Sequence, residues 1–383
     1  MKITKITPIL CDGALQVFVF LKVETDEGIT GYSEFTDGFA SFGVAGCVRD
    51  MEHLLIGQNP LNVQKLYFEM SVYAQHNPLG VTQKAIAGIE MALWDIKGKV
   101  RGLPLYELFG GAIRDRLRVY WSHCGAYRAN HPHLFPDKPR LSSMDDIFNL
   151  GKEVIERGYT AFKTNILIPG EPSRAIRNPE QNVDIAMLKS VDNLISTFRK
   201  AVGDKADIIL DLNFNFKTSG FIQVAKVVEP YNLMWLEIEL YDPEAILQIK
   251  ESTKVPITSG ESLYTMKQYE PYLRRHAMDY CMIDLGNNGY IESHRIAAMA
   301  DLYEMMVTPH NFHSHMSTFM CAQLCATIPN YSIMETDVDS APWRDELTTD
   351  IPEIKDGYMV LPKKPGIGTE LNEKAIAKHP WPK

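Results

Sequence analysis

At 383 residues the chain exceeds one ordinary small core, so two domains, or one barrel-sized domain with additions, are expected. Hydrophobic residues at 45% and charged residues at 23% are average for a soluble globular protein, and no apolar stretch approaches membrane-spanning length. The formal charge of −9 excludes the basic face that a nucleic-acid or anionic-membrane partner would need, although an acidic chain can take an anionic substrate where a metal supplies positive charge.

The N-terminal MKITKITPIL reads as an alternating strand rather than a signal peptide, because its apolar run is short and interrupted. Strand-like runs cover Lys2–Leu10, Val17–Thr25 and Ile29–Glu34, with a turn at Asp26-Glu27-Gly28. Three helical segments follow. The clearest spans Thr82 to Arg101, where Ile86, Ile89, Leu93 and Ile96 share one face and Gly102 and Pro104 stop the helix. Residues 1–115 are therefore expected to form an α+β capping domain, with the tail 351–383, including strand-like Tyr358–Leu361, packing back on it and closing the pocket. Cys11, Cys47, Cys124, Cys281, Cys321 and Cys325 form no CxxC pair and read as reduced core residues of a cytoplasmic protein.

From Leu117 short apolar runs alternate with amphipathic helices: Leu117–Ser122, Ala161–Lys163, Ile208–Leu212, Trp235–Ile238, Ile257–Ser259, Tyr280–Ile283, Met306–Thr308 and Ser332–Met334. Eight buried strands separated by helices give the count of a TIM-type (β/α) barrel over residues 116–350. A doubly wound sheet lacks support, since Gly110-Gly111 is no GxGxxG. Polar residues recur at the strand ends: Asp211, Glu237, Glu261, Asp284, His310 and Glu335 stand 23 to 26 residues apart, one strand-plus-helix unit. All strand C-termini of a barrel open on one face, so these residues converge on one pocket. Long Pro-rich segments, Tyr127–Leu141 and Ile166–Asn182, follow strands one and two and shape entry to it, together with Asp12–Gln16 and Thr36–Gly46.

Asp211, Glu237 and Glu261 would repel one another without a cation, which points to Mg²⁺ with its preference for oxygen ligands. Any one of them alone reads better as a solvated helix start or an ion pair. His310 follows strand seven and Asp284 strand six, so the carboxylate can orient the imidazole; a lone histidine would more often be structural. A rival reading has His310, His313 and His315 bind zinc, but the oxygen set is already complete. Lys163 ends strand two and is expected to meet a substrate carboxylate rather than to snorkel. Asn213 shares a strand face with Asp211 and could touch a substrate hydroxyl, and His123 at the end of strand one is a further candidate contact. Glu239 shares a strand face with Glu237 and could face the pocket.

With AIAGIEMALWDIKGKVRGLPLYELFGG, the acid triad, the Asp284/His310 pair and PGIGTELNE, the chain resembles the enolase superfamily, in its mandelate racemase and acid-sugar dehydratase branch, over nearly its whole length. That resemblance implies Mg²⁺ on Asp211, Glu237 and Glu261, a His310–Asp284 dyad, and Glu335 as the strand-eight acid on the bound carboxylate. Two positions depart from the pattern. The usual Lys-x-Lys reads Lys163-Thr164-Asn165, leaving Asn165 as a substrate contact that cannot move protons, and Glu-Glu-Pro reads Glu237-Ile238-Glu239. The absence of a lysine after strand six disfavours the cycloisomerase branch. The expected activity is dehydration of an aldonate or aldarate to a 2-keto-3-deoxy acid, with His310 as base and then acid and Lys163 stabilising charge. An epimerase using Lys163 as second base, and a metal-binding barrel without turnover, are the alternatives. The partner is a small-molecule carboxylate, and a homo-oligomer is expected.

Overall fold

The computed structural model describes residues 1–35 and 42–381. The expected entry segment Thr36–Gly46 therefore lies partly outside the described residues. Strands Ile3–Asp12, Val17–Thr25 and Thr30–Glu34 form an antiparallel meander. In the middle strand, alternation sends Val17, Val19, Leu21 and Val23 into the core of the cap, while Phe18 and Phe20 enter the core of the barrel. The helix Val81–Arg101 divides in the same way, with Ile86, Ile89, Leu93 and Ile96 on the cap side and Ala87 and Met91 on the barrel side. Gly102, at φ 67°, ends it in the left-handed conformation that glycine adopts without strain.

Eight parallel strands follow: Arg116–Ser122, Ala161–Thr164, Asp207–Asn213, Trp235–Ile238, Ile257–Ser259, Tyr280–Asp284, Met306–His310 and Met334–Asp337. Each pairs with the next from the first to the seventh, and the eighth pairs with the first. The eighth begins later than the apolar run suggests, because Tyr331 makes an isolated bridge to Val307 before the ladder starts. Between the seventh and eighth strands the join rests on that bridge and on side chains, including Thr308 Oγ1 donating to Ile333 O at 2.8 Å.

The tail departs from expectation. Tyr358–Val360 pairs antiparallel with Arg116–Arg118, the beginning of the first barrel strand, so this hairpin lies at the mouth opposite the strand C-termini and does not close the pocket. The reason is a vacant edge there: the ladder between the first and eighth strands starts only at Val119. Farther along, the tail does meet the cap, where Asp95 accepts from Ile367 N at 2.9 Å and from Tyr32 N at 2.9 Å. Lys99 bridges Asp95 and Glu370 at 2.7 and 2.6 Å. No helix among the described residues is long and apolar enough to cross a membrane.

Cap and barrel also share hydrogen bonds. The helix Leu285–Leu302 is broken at Gly289 (φ 66°, ψ 179°), and Glu90 of the cap accepts from the freed Tyr290 and Ile291 amides at 2.9 and 3.2 Å. Burial pushes the Glu90 carboxyl up to about 8, against those donors and Trp94 Nε1. Between the unfolded carboxyl's ordinary value and about 8, the folded chain holds a proton that the unfolded chain releases, so raising the pH through that window lowers stability. Thermal unfolding from pH 5 to pH 8.5 should show a smaller fall in midpoint for Glu90→Gln than for the parent; equal falls would reject this origin.

Candidate active site

Parallel strands ending on one face bring six of the spaced residues together. Lys163 Nζ lies 2.6 Å from Glu237 Oε1, 2.7 Å from Glu335 Oε1 and 3.9 Å from Asp211 Oδ2. Glu335 also accepts from the Asn311 amide at 2.9 Å and from Ser122 Oγ. Asn165 Nδ2 donates to Asp211 Oδ2 at 3.1 Å, and Asn213 Nδ2 to Glu261 Oε1 at 2.8 Å. Both asparagines thus tie down the acids themselves. Asn213 takes φ 43°, a conformation asparagine tolerates, and its own amide donates to Asp211 Oδ1 at 2.9 Å.

One ammonium cannot offset this many acids. Burial pushes Glu237 far above the usual carboxylate range, and Asp211, Glu261 and Glu335 add to the push, despite the ion pair with Lys163. Glu261 rises for the same reasons, with His310 and Lys163 opposing. Burial also works against Glu335, but Lys163 and His310 outweigh it and hold that carboxyl low. Lys163 stays charged because Glu237 and Glu335 overcome its burial.

Glu239 turns away from the pocket. It accepts from the Gly260 and Ser262 amides at 2.8 and 3.3 Å, buttressing the loop that carries Glu261, and burial with Glu261 nearby pushes it up to about 8. His123 lies against Tyr127 and Phe312, with ring centroids 4.9 and 4.6 Å away, and its Nδ1 is 2.7 Å from Ser122 Oγ.

His310 Nδ1 lies 2.7 Å from Asp284 Oδ2, and Nε2 lies 3.4 Å from Glu261 and 3.8 Å from Glu335. Burial lowers the imidazole, but Glu261, Glu335 and Asp284 outweigh it and raise the group to about 10. Burial likewise opposes ionisation of Asp284, but the bonds to His310 and His313 keep its carboxyl well below the usual range. Among the described residues, the His/Cys/Asp/Glu group whose ligand atoms lie within 4.8 Å of one another is Asp284, His310 and His313 rather than the acid triad. In that group Nδ1 of His310 and Oδ2 of Asp284 are engaged with each other. His315 is elsewhere, its Nε2 2.7 Å from Asp345, so the three-histidine zinc set does not assemble. The triad keeps one feature that suits a hard cation: Glu237 Oε2 is buried with no hydrogen-bond partner among the described residues.

A cavity of about 170 Å³ opens beside His310 and Asp284. Its wall includes Lys84 and Phe312, which sequence reasoning did not assign to the site, and His313, which it considered only in the zinc alternative. Lys84 stands three and seven residues before Ala87 and Met91, the barrel-facing stripe of its helix, and that spacing was the available signal.

Residues 149–375 match the model of the enolase C-terminal domain-like family, and residues 12–110 match that of the mandelate racemase/muconate lactonizing enzyme N-terminal domain. D-xylonate dehydratase of Haloferax volcanii is 30% identical over 99% of this chain and 89% of its own. D-gluconate dehydratase of Thermoproteus tenax is 29% identical over 94% of this chain and 69% of its own. A Burkholderia xenovorans structure, provisionally assigned as an L-alanine-DL-glutamate epimerase and bound to magnesium and fumarate, superposes with a TM-score of 0.95. It is 36% identical, over 99% of this chain and 96% of that one.

Removing the ammonium should expose the crowding. In metal-free protein, Lys163→Met leaves Glu237 and Glu335 buried without their shared cation and should cost about 3–5 kcal/mol of unfolding free energy by denaturant titration. Unchanged stability would mean that the acids do not depend on Lys163.

Proposed function

Because the chain belongs to the mandelate racemase/muconate lactonizing family of enolase-like proteins, we propose that it is an Mg²⁺-dependent dehydratase of a sugar acid, an aldonate or aldarate. The observation that carries this reading is the single acid/base group. His310, oriented by Asp284 at 2.7 Å, turns Nε2 toward the acids, while Asn165 stands where a second base would be needed. The names of the curated relatives support the same reaction class.

Asp211, Glu237 and Glu261 would hold the cation, consistent with the orphaned Glu237 oxygen and the raised carboxyls. Bound Mg²⁺ would neutralise the triad, stabilise charge on the substrate carboxylate and free His310 from the carboxylates that keep it protonated. Lys163 supplies a fixed positive charge to the carboxylate beside the reacting carbon, and Glu335, paired with it at 2.7 Å, holds that ammonium in place. His310 Nε2 removes the α-proton, and the resulting imidazolium returns it to the departing β-hydroxyl. One group serving both steps requires them on one face, a syn elimination. The enol product then tautomerises to the 2-keto-3-deoxy acid. The cysteines are all unpaired thiols, which supports a reducing compartment such as the cytoplasm.

A second reading, epimerisation with Lys163 as the opposing base, is favoured by the provisional name of the Burkholderia neighbour. It is opposed by the two ion pairs that hold Lys163 protonated.

Glu261→Gln should keep the fold and lose Mg²⁺ affinity and turnover together; full turnover in that variant, or in excess chelator, would reject the metal assignment. His310→Asn should abolish both keto-acid formation and α-proton exchange in D₂O, a loss of at least about 10³-fold, and Asp284→Asn should lower both less completely. Persistent exchange without elimination in His310→Asn would make Lys163 the base and favour the epimerase.

A further inference from the structure

We propose that Glu239 is a positioning residue of the cation site. By clamping the backbone on both sides of Glu261 it fixes that ligand, and it thereby gives the site its preference for Mg²⁺ over larger divalent ions. This rests on the reading of Asp211, Glu237 and Glu261 as metal ligands and deepens it.

Glu239 stands just past the fourth barrel strand, Trp235–Ile238, two residues after Glu237, and is 2% exposed. Its Oε1 accepts from Gly260 N at 2.8 Å and Ser259 Oγ at 3.2 Å, and its Oε2 from Ser262 N at 3.3 Å. The two amides belong to the residues immediately before and after Glu261. Neighbours hold the carbonyls of the same turn: Tyr269 Oη donates to Gly260 O and Asn287 Nδ2 to Glu261 O, each at 2.7 Å. The turn therefore takes its acceptors from Glu239 and its donors from elsewhere. Gly260 adopts φ 121°, so the residue with the greatest backbone freedom sits directly before the ligand.

The third barrel strand is tied to the same residue. Glu239 N donates to Asn213 O at 3.1 Å. Asn213 in turn donates to Glu261 Oε1 at 2.8 Å through its side chain and to Asp211 Oδ1 at 2.9 Å through its amide. One residue thus joins the strand ends that carry all three acids. A proline at this position, as in the Glu-Glu-Pro pattern, would offer neither the carboxylate nor the N–H.

Loosening this clamp acts unequally on different cations. Mg²⁺ demands near-ideal octahedral geometry, whereas Ca²⁺ accepts longer bonds, more ligands and irregular shapes. A Glu261 free to shift would weaken Mg²⁺ binding more than Ca²⁺ binding.

The test is calorimetric titration of metal-free wild type, Glu239→Leu and Glu239→Gln with Mg²⁺ and with Ca²⁺, alongside thermal unfolding in chelator. Wild type should bind Mg²⁺ more tightly than Ca²⁺. Glu239→Leu, which removes both acceptors, should bind Mg²⁺ about 10- to 100-fold more weakly and lose much less for Ca²⁺. Glu239→Gln keeps one acceptor and should fall between, and it carries the test if Glu239→Leu does not fold. An unchanged ratio of Mg²⁺ to Ca²⁺ affinity, even with a lower unfolding midpoint, would make Glu239 merely structural and overturn the proposal. So would a wild type that prefers Ca²⁺. If wild type binds neither ion, the metal reading itself fails and the proposal falls with it; if wild type binds Mg²⁺ and only the ratio stays fixed, the proposal alone fails.

Discussion

Like charges confined at one end of a closed barrel set the terms for this molecule. Asp211, Glu237, Glu261, Asp284 and Glu335 are all carried to the same face by parallel strands, and all are largely withdrawn from water. Burial and this mutual repulsion raise the Glu237 and Glu261 carboxyls even with Lys163 2.6 Å from the first and His310 3.4 Å from the second. The remaining polar architecture answers this crowding. Lys163 is threaded between Glu237 and Glu335, His310 is set beside Glu261, Glu335 and Asp284, and Asn165 and Asn213 give Asp211 and Glu261 fixed donors. Glu239 then holds the loop bearing Glu261 from behind through backbone amides.

The cap shares in this arrangement more than a lid would. Its middle strand and its long helix contribute one face to each of two apolar cores, so cap and barrel have a layer in common. Polar contacts follow the same route. Glu34, at the end of the third cap strand, accepts from Ser314 and Ser317 at the start of the barrel helix His315–Cys325, where a negative charge suits the helix terminus. Gln16, in the short connection between the first two cap strands, donates to Phe312 O at 3.1 Å. Both contacts fall on or beside Phe312 and His313, which form part of the cavity wall beyond His310.

What could be read from the sequence depended on whether a residue's position follows from strand periodicity. Asp211, Glu237, Glu261, Asp284, His310 and Glu335 occupy strand ends at one repeating interval, and a barrel turns that interval into proximity without further information. Lys84 could not be placed in this way, because its approach to the barrel depends on the docking of a different domain. The Ser122 hydroxyl on Glu335 and the loop-facing turn of Glu239 are rotamer-level outcomes, invisible to pattern. The hairpin at Tyr358 had the right strand character, but its site depended on the vacant edge at the start of the first barrel strand. The zinc alternative shows the reverse error: His313 and His315 are close in sequence, yet the helix start between them sends one to the cavity and the other to Asp345.

The break at Gly289 bears on how such proteins can be recombined. Glu90 sits so close to Gly289 that a Cβ there would strike its carboxyl oxygen. The broken helix begins at Asp284, whose carboxylate accepts from the Asn287 amide at 3.0 Å as well as contacting His310. A cap taken from a relative with a different residue at position 90 would therefore leave two barrel amides without an acceptor, about two turns from the residue that orients the imidazole. Exchanging caps to change substrate range is thus a graft with a hidden attachment point, and position 90 must travel with the barrel rather than with the cap.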